Sequence, residues 1–401
     1  MALPALWLLR SSRETSRKQP RRSLMKARIL VGAAALMLGN AASAQSSVTL
    51  YGVIDAGITF VSNANKFGEK LWQTQSGIAQ GSRFGMKGAE DLGGGLSALF
   101  QLENGFDVFS GRLAQGGLLF GRQAYVGLSD TKLGKLTLGR QYDSIVDYLQ
   151  VTTFNGNYGA YFSHAGDIDN SDNGFRVNNA IKYTSPSIAG LTFGGMYALG
   201  GVAGQFGRNS TIAAGLSYQH GPFYAAAAYM YAKNPATQFP DGNFVPNGAN
   251  GAPTANGPFG YVGIPSNEQV FGLGVTLQAS NWLLGANFTD ARFDGANGTT
   301  SRVRFDTAEG WASYRVNAAM TLAAGYQYTW AKADYNDSRP HYHQINAMAD
   351  YYLSKRTDVY VMGVFEKAGG GAKASIYNGL LGSEASGTTQ VAARVGIRHR
   401  F

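Results

Sequence analysis

The sequence predicts an all-β chain that closes as an antiparallel transmembrane β-barrel of about 16 strands. Three observations predict it. In the last strand Val391, Ala393, Val395, Ile397, His399 and Phe401 share one face, and Gln390, Ala392, Arg394, Gly396, Arg398 and Arg400 share the other. A period of two, lipid-compatible on one side with three arginines on the other, suits a wall between hydrocarbon and water. A soluble edge strand can alternate in the same way, but this one stops flush on an aromatic residue. About 16 such segments recur, joined by connections that are alternately short and long. The third observation is the lack, beyond residue 44, of any apolar run of about 18 residues or more, which a spanning helix needs.

The N-terminus points to export. Met25, Lys26 and Arg28 form a basic start, Ile29 to Gly39 is apolar, and Ala42-Ser43-Ala44 supplies a small-residue cleavage site. Residues 25–44 therefore read as a secretory signal peptide, residues 1–24 as an over-extended start, and 45–401 as the barrel domain. The rival reading is a twin-arginine signal at Arg21-Arg22. That route carries folded proteins, whereas a barrel with a lipid-facing exterior crosses unfolded.

The formal charge of +9 belongs mostly to this leader. Taking its eight Lys/Arg and one Glu from the 34 and 25 of the whole chain leaves 26 against 24, a net of +2. No concentrated basic face suggests nucleic acid. Zero cysteines exclude a disulfide framework, a thiol nucleophile and a thiolate metal site. Stability must then come from ladder hydrogen bonds and from closure, which removes strand edges.

In chain order the predicted strands are 48–62, 81–90, 95–107, 118–129, 135–142, 176–185, 191–199, 211–219 and 223–232. They continue with 269–278, 282–292, 305–316, 320–331, 343–353, 357–366 and 390–401. In the first, Val48, Leu50, Ile54 and Ile58 oppose Thr49, Tyr51, Asp55 and Thr59. Short turns fall near Gly93, Gly134, Pro222, Asn281, Asn317 and Lys355, and long polar stretches at 142–175, 233–267, 293–304, 333–342 and 367–388. Short turns at one rim and long loops at the other suit an outer-membrane barrel. Aromatics near strand ends, as at Tyr326, Tyr328 and Trp330, suit interfacial girdles.

Six fragments carry a family resemblance. The run from Ser47 to Asp55 (SVTLYGVID) resembles the first strand of the general porins of β-proteobacteria and Neisseria. So do Ser82 to Gly93 (SRFGMKGAEDLG), Phe120 to Leu128 (FGRQAYVGL), Leu138 to Tyr142 (LGRQY), Asn179 to Pro186 (NAIKYTSP) and Val395 to Phe401 (VGIRHRF), in the family's order. The resemblance implies a homotrimer of 16-stranded barrels in the outer membrane, among lipid and lipopolysaccharide, passing small hydrophilic solutes and ions by passive diffusion. Phe401 is then the assembly signal for the outer-membrane barrel-assembly machinery.

The same resemblance implies that the third long loop, 142–175, narrows the pore. It carries Asp143, Asp147, Asp167, Asp169 and Asp172 and no Lys or Arg. Arg83, Arg122 and Arg176 match the family's facing arginines. Arg83 shares a face with Gly85 and Lys87, and Arg176 with Asn178, Ala180 and Lys182, so Lys87 and Lys182 are expected on the pore wall. Arg122 shares its parity with Val126 and Leu128, so alternation alone points it outward; the resemblance nonetheless implies that it faces the pore, the alternative being an interface salt bridge. Arg140, beside Leu138, reads as a structural clamp. Opposed Arg and Asp rows create a transverse field, and an arginine excess favours anions.

Other motifs carry less. Gly93-Gly94-Gly95 and Gly134-Lys135 lack the spacing of a phosphate loop. His341 and His343 have no third ligand beside them in the sequence. His164 reads as a pore-lining polar group and His399 as an interfacial aromatic. No cofactor or metal is expected. The rival function classes are a barrel protease or lipase, which needs a Ser/His/Asp or Asp/His constellation, and a channel dedicated to one substrate.

Overall fold

The structure is a computed structural model that describes residues 47–239, 257–379 and 384–401. The leader segments 1–24 and 25–44 lie outside them. The described chain opens with β1 (Ser47–Ser62), β2 (Leu71–Ser76), β3 (Arg83–Gly93), β4 (Leu96–Gly105), β5 (Gln123–Asp130) and β6 (Gly134–Gln141). It continues through β7 (Val177–Thr184), β8 (Leu191–Ala198), β9 (Thr211–His220), β10 (Phe223–Lys233), β11 (Asn267–Ala279) and β12 (Trp282–Asp294). β13 (Arg302–Arg315), β14 (Met320–Ala333), β15 (His341–Tyr352), β16 (Thr357–Gly369) and β17 (Thr389–Arg400) complete it.

From β3 onward each strand pairs antiparallel with the next, and β17 returns to β1 in a register running from Val53↔Arg400 to Ser62↔Val391. The seam is sealed by a reciprocal bond pair, Gly52 N to Phe401 O and Phe401 N to Gly52 O, each 3.0 Å. A Cβ on Gly52 would strike the Phe401 ring, so the closing contact needs glycine there.

The seventeen strands make a 16-stranded barrel because β2 and β3 lie end to end along one edge of β1. β2 pairs with residues 56–61 of β1 and β3 with residues 47–53. Residues 77–82 step around Asp55 between them. Its backbone N–H donates to Ser82 Oγ (3.0 Å), its carbonyl accepts from Gly77 N (2.8 Å), and its Oδ2 accepts from Gln80 N (2.8 Å). β2 is absent from the expected strand set. Six residues with Trp72 outward and Gln73 and Gln75 between polar flanks leave too short an alternation to read.

Side chains sort as the period of two requires. On β17 Val395 is 52 % exposed whereas its neighbour Arg394 is 1 % exposed. Arg394 is held inside by Tyr360 OH (2.9 Å), Thr59 Oγ1 (3.0 Å) and Gln75 O (2.9 Å). Inner-facing glycines and alanines leave space in the lumen, and the large buried rings belong mostly to inserted loops.

Two boundaries differ from expectation. Residues 118–122 are not strand: Gly116 and Gly117 take positive φ, and the chain turns before β5 starts at Gln123. The outward parity argued for Arg122 therefore does not apply. The long connection expected at 293–304 is shorter, since β12 and β13 run to Asp294 and from Arg302. Outward Asp and Arg residues at these strand tops resemble loop in sequence but pair across the ladder.

Candidate functional site

Residues 142–176, between β6 and β7, turn into the barrel as a series of short helical turns rather than projecting away. The wall is built to receive them. At Gly272 and Gly274, on the inner face of β11, an added Cβ would strike Leu149 and Thr152. Trp311 Nε1 and Asn287 Nδ2 donate to Thr152 O and Oγ1, both at 2.8 Å, and Gln327 Nε2 donates to Ser163 O (2.6 Å). On the opposite side Tyr161 OH meets Thr59 Oγ1 (3.1 Å), and Ala160 N donates to Ile78 O (2.8 Å). The loop is thus tied to the wall at both ends of its crossing.

A cavity of about 420 Å³ lies beside it, lined by Arg83, Arg122 and Arg176 together with Glu103 and the loop residues Asp167 and Asp172. Arg83 opens β3, while Arg122 and Arg176 each immediately precede a strand. Glu103, on β4, holds two of the arginines: Arg122 Nε donates to its Oε1 (2.8 Å), and Arg83 Nε lies 3.6 Å from its Oε2. Tyr142 joins the third. Its hydroxyl accepts from Arg122 Nη2 (3.1 Å), and its ring lies 5.9 Å from the Arg176 guanidinium carbon. Arg140 fastens the two junctions from behind, donating to Gly121 O (2.8 Å), Asn178 Oδ1 (2.7 Å) and Arg176 O (3.5 Å). A bulge between Gly139 and Gln141 turns Arg140 inward although Leu138, two residues earlier, faces out.

The five loop aspartates divide. Asp167 and Asp172 line the cavity with the arginines. Asp143 is fully buried and knots the loop, accepting from Ile145 N (2.7 Å) and Asn170 Nδ2 (2.6 Å). Asp169 is fully buried between His164 Nδ1 (2.6 Å) and Thr289 Oγ1 (2.5 Å). Asp147 pairs with Lys182 Nζ at 2.6 Å, in a separate cavity that Lys135 also lines. Lys87 sits over the Tyr51 ring (5.4 Å). His164, expected to line the pore, is instead fully buried between Asp169 and Glu309, whose carboxylate lies 3.6 Å from Nε2. This His–Asp pair has the look of a catalytic dyad but no exposure to a substrate.

Burial and neighbouring charges together set the loop's ionisation. Burial prevails at Asp172, whose carboxyl it raises to about 6. Asp167 is also held well above the usual carboxylate range, by burial first and then by the charges of Asp172 and Asp169. Burial alone would push His164 down, but Asp169 and Glu309 hold it well above the ordinary imidazole value. Among the described residues no group of three or more His, Cys, Asp or Glu is placed to hold a metal, and His341 and His343 stand as a pair with ring centroids 5.9 Å apart.

Glu103 and Tyr142 are the members that sequence reasoning missed. Glu103 has inward parity with Gln101, and Tyr142 lies inside the LGRQY fragment, so both positions were visible but their bonds to arginine were not.

The family model for Gram-negative porins matches residues 32–370. The chain belongs to that family. An outer membrane porin protein of Bordetella pertussis is 31% identical over 417 residues, covering 92% of this chain and 98% of that protein. The major outer membrane protein P.IB of Neisseria gonorrhoeae is 27% identical over 374 residues, covering 90% and 96%. Among solved structures, the anion-selective porin from Comamonas acidovorans shares the fold with a TM-score of 0.70 at 24% identity, covering 89% of this porin and all of that chain. The trimer form of OmpT from Vibrio cholerae gives 0.63 at 14% identity, covering 89% and 99%. This porin is accordingly a protein of the Gram-negative outer membrane.

Proposed function

We propose that this porin is a passive general-diffusion channel for small hydrophilic solutes and ions, with a preference for anions set at the Arg83–Arg122–Arg176 cluster. The observation that carries the reading is the convergence of these three arginines on one cavity opposite an inserted loop. Guanidinium groups stay charged at all working pH, and their planar donor forks are held here by Glu103 and Tyr142. Anions entering the gap exchange water for fixed donors, while cations meet a positive wall. The barrel acts as a homotrimer, its Phe401 is read by the assembly machinery, and lipopolysaccharide surrounds it. It performs no catalysis.

The test is the zero-current potential of reconstituted channels in a KCl gradient, measured at two pH values. At pH 7.5 the sign should report chloride as the more permeant ion. On acidification through about 6 Asp172 takes up a proton while the arginines do not titrate, so the acidic offset shrinks and anion preference should rise. One charge removed about 5 Å from a permeating ion in water changes its energy by roughly 0.8 kcal/mol, about a fourfold change in permeability ratio. A cation-selective potential at pH 7.5, or a shift toward cations on acidification, contradicts the reading.

A further inference from the structure

A different surface carries a second site. At the long-loop end of β12–β15 the outward positions change from apolar to charged. Arg292, Arg302, Arg304, Lys332 and Arg339 gather above a band of Tyr326, Tyr328, Trp330, His341 and His343. The arrangement is not a random charged rim. Asp290 and Asp306 lie beneath the arginines, with side chains only 6 % and 10 % exposed, whereas the Arg304 side chain is 48 % exposed. Arg304 Nε meets Asp290 Oδ2 at 2.6 Å, its Nη2 meets Asp306 Oδ1 at 2.7 Å, and Arg292 Nε meets the other Asp290 oxygen at 2.6 Å. Buried carboxylates thus fix the guanidinium groups of Arg292 and Arg304 while both side chains stay exposed to the outside. Arg339, on the connection before β15, is exposed and forms no ion pair among the described residues.

These groups line a groove of about 740 Å³ whose walls include Arg302, Arg304, Lys332, Arg339, Tyr328 and Trp330. The aromatic floor is continuous: Tyr328 stacks on Trp330 with centroids 5.4 Å apart and on His343 at 4.5 Å. Below it the outward wall turns apolar, with Leu322, Ile345 and Val361 exposed. Read from the loops toward the membrane centre, the surface offers fixed cations, then flat rings, then hydrocarbon.

We propose that this outer face is a docking site for the phosphorylated sugar headgroup of an outer-leaflet glycolipid. Phosphates meet the arginine edges, a pyranose ring lies on the Tyr328–Trp330 platform, and acyl chains run down the apolar wall. The proposal rests on the reading of this chain as an outer-membrane porin whose long loops face outside. Basic groups at the headgroup level recognise anionic lipids by charge, and the planar forks of arginine match phosphate oxygens. A lipid is the occupant because charge, ring and apolar layers occur in the depth order of such a molecule.

The experiment titrates the folded porin in uncharged detergent with bisphosphorylated lipid A, with its dephosphorylated analogue and with inorganic phosphate, following the heat-denaturation midpoint. The wild type should gain stability with the bisphosphorylated lipid alone. Arg302→Gln/Arg304→Gln/Arg339→Gln should bind it about a hundredfold more weakly, taking about one tenfold step for each one to two cations lost. Conductance in the same KCl gradient should remain as in the wild type, which shows that the variant is folded and separates this site from the channel reading. A second variant, Arg339→Gln alone, removes a cation that supports no ion pair among the described residues and should show a partial loss. Equal binding by wild type and triple variant overturns the proposal. So does equal stabilisation by the dephosphorylated lipid or by inorganic phosphate, or association of two copies through this face in place of lipid binding.

Discussion

Replacing Arg83 and Arg176 together by glutamine should turn the proposed chloride preference of the channel into a preference for potassium. Both side chains line the cavity that also holds Glu103, Asp167 and Asp172. With the two arginines gone, Arg122 alone faces three carboxyl groups, and its Nε is already committed to Glu103 at 2.8 Å. Each lost charge at about 5 Å in water is worth roughly 0.8 kcal/mol, so the pair should change the permeability ratio by the order of tenfold. The effect should fade in concentrated salt, where the screening length falls from about 10 Å at 0.1 M to about 3 Å at 1 M. Zero-current potentials of the double variant at both salt levels check the result. An unchanged chloride preference removes these two residues from the selectivity mechanism.

The second large effect concerns the bond between loop and wall. Asp169→Ala should release the inserted loop. The Asp169 carboxylate accepts from His164 Nδ1, from Thr289 Oγ1 on β12 and from Ser171 N (3.1 Å), all in a fully buried setting. Removing one partner of a buried pair costs about 3–5 kcal/mol, because the remaining charge is left without compensation. The barrel ladder does not depend on this contact, so closure should survive while the loop loosens. Single-channel traces should become noisy, and Trp311, which donates to Thr152 O on the loop, should change its fluorescence. A quiet trace with unaltered Trp311 emission would show that the other wall contacts suffice.

The pH window of this latch follows from the two shifts. His164 is raised above its unfolded value, so its contribution is complete below about 6.5 and is lost as pH rises through the folded value. Asp169 is depressed, chiefly by His164 once the opposing cost of burial is overcome. Its contribution is complete above about 3.9 and is lost as pH falls through the folded value. The loop should therefore be held most firmly between these limits.

Much of the barrel was legible because a wall between lipid and water enforces strict alternation. Arg83 could be placed on the inner face from its neighbours Phe84 and Met86, and Arg394 and Arg398 from theirs. The failures have local causes. Alternation alone fails at Arg122, because parity has no meaning before a strand begins, whereas Arg140, expected as a structural clamp, bonds both junctions after a bulge turns it inward. β2 was too short to show a period. The five aspartates of the loop look alike in sequence, yet only Asp167 and Asp172 reach the arginine cavity. Their division depends on the side chains that the tertiary path brings to each, Asn170 to Asp143, Lys182 to Asp147, and His164 with Thr289 to Asp169. Glu103 was overlooked for the opposite reason. A single acid on a wall strand carries no motif, and its importance comes from two arginines that arrive from other segments.

The arrangement of wet and oily faces around the arginine cluster can be tested at one pair of adjacent positions, because the chain has no cysteine. Arg83→Cys and Phe84→Cys are placed separately in reconstituted channels and exposed to a negatively charged, membrane-impermeant thiol reagent while current is recorded. Phe84 lies on the outer face and Arg83 borders the cavity. Current through the Arg83→Cys channel should fall on addition of reagent, and current through the Phe84→Cys channel should stay constant. Equal responses, or a response at position 84 alone, would contradict the account.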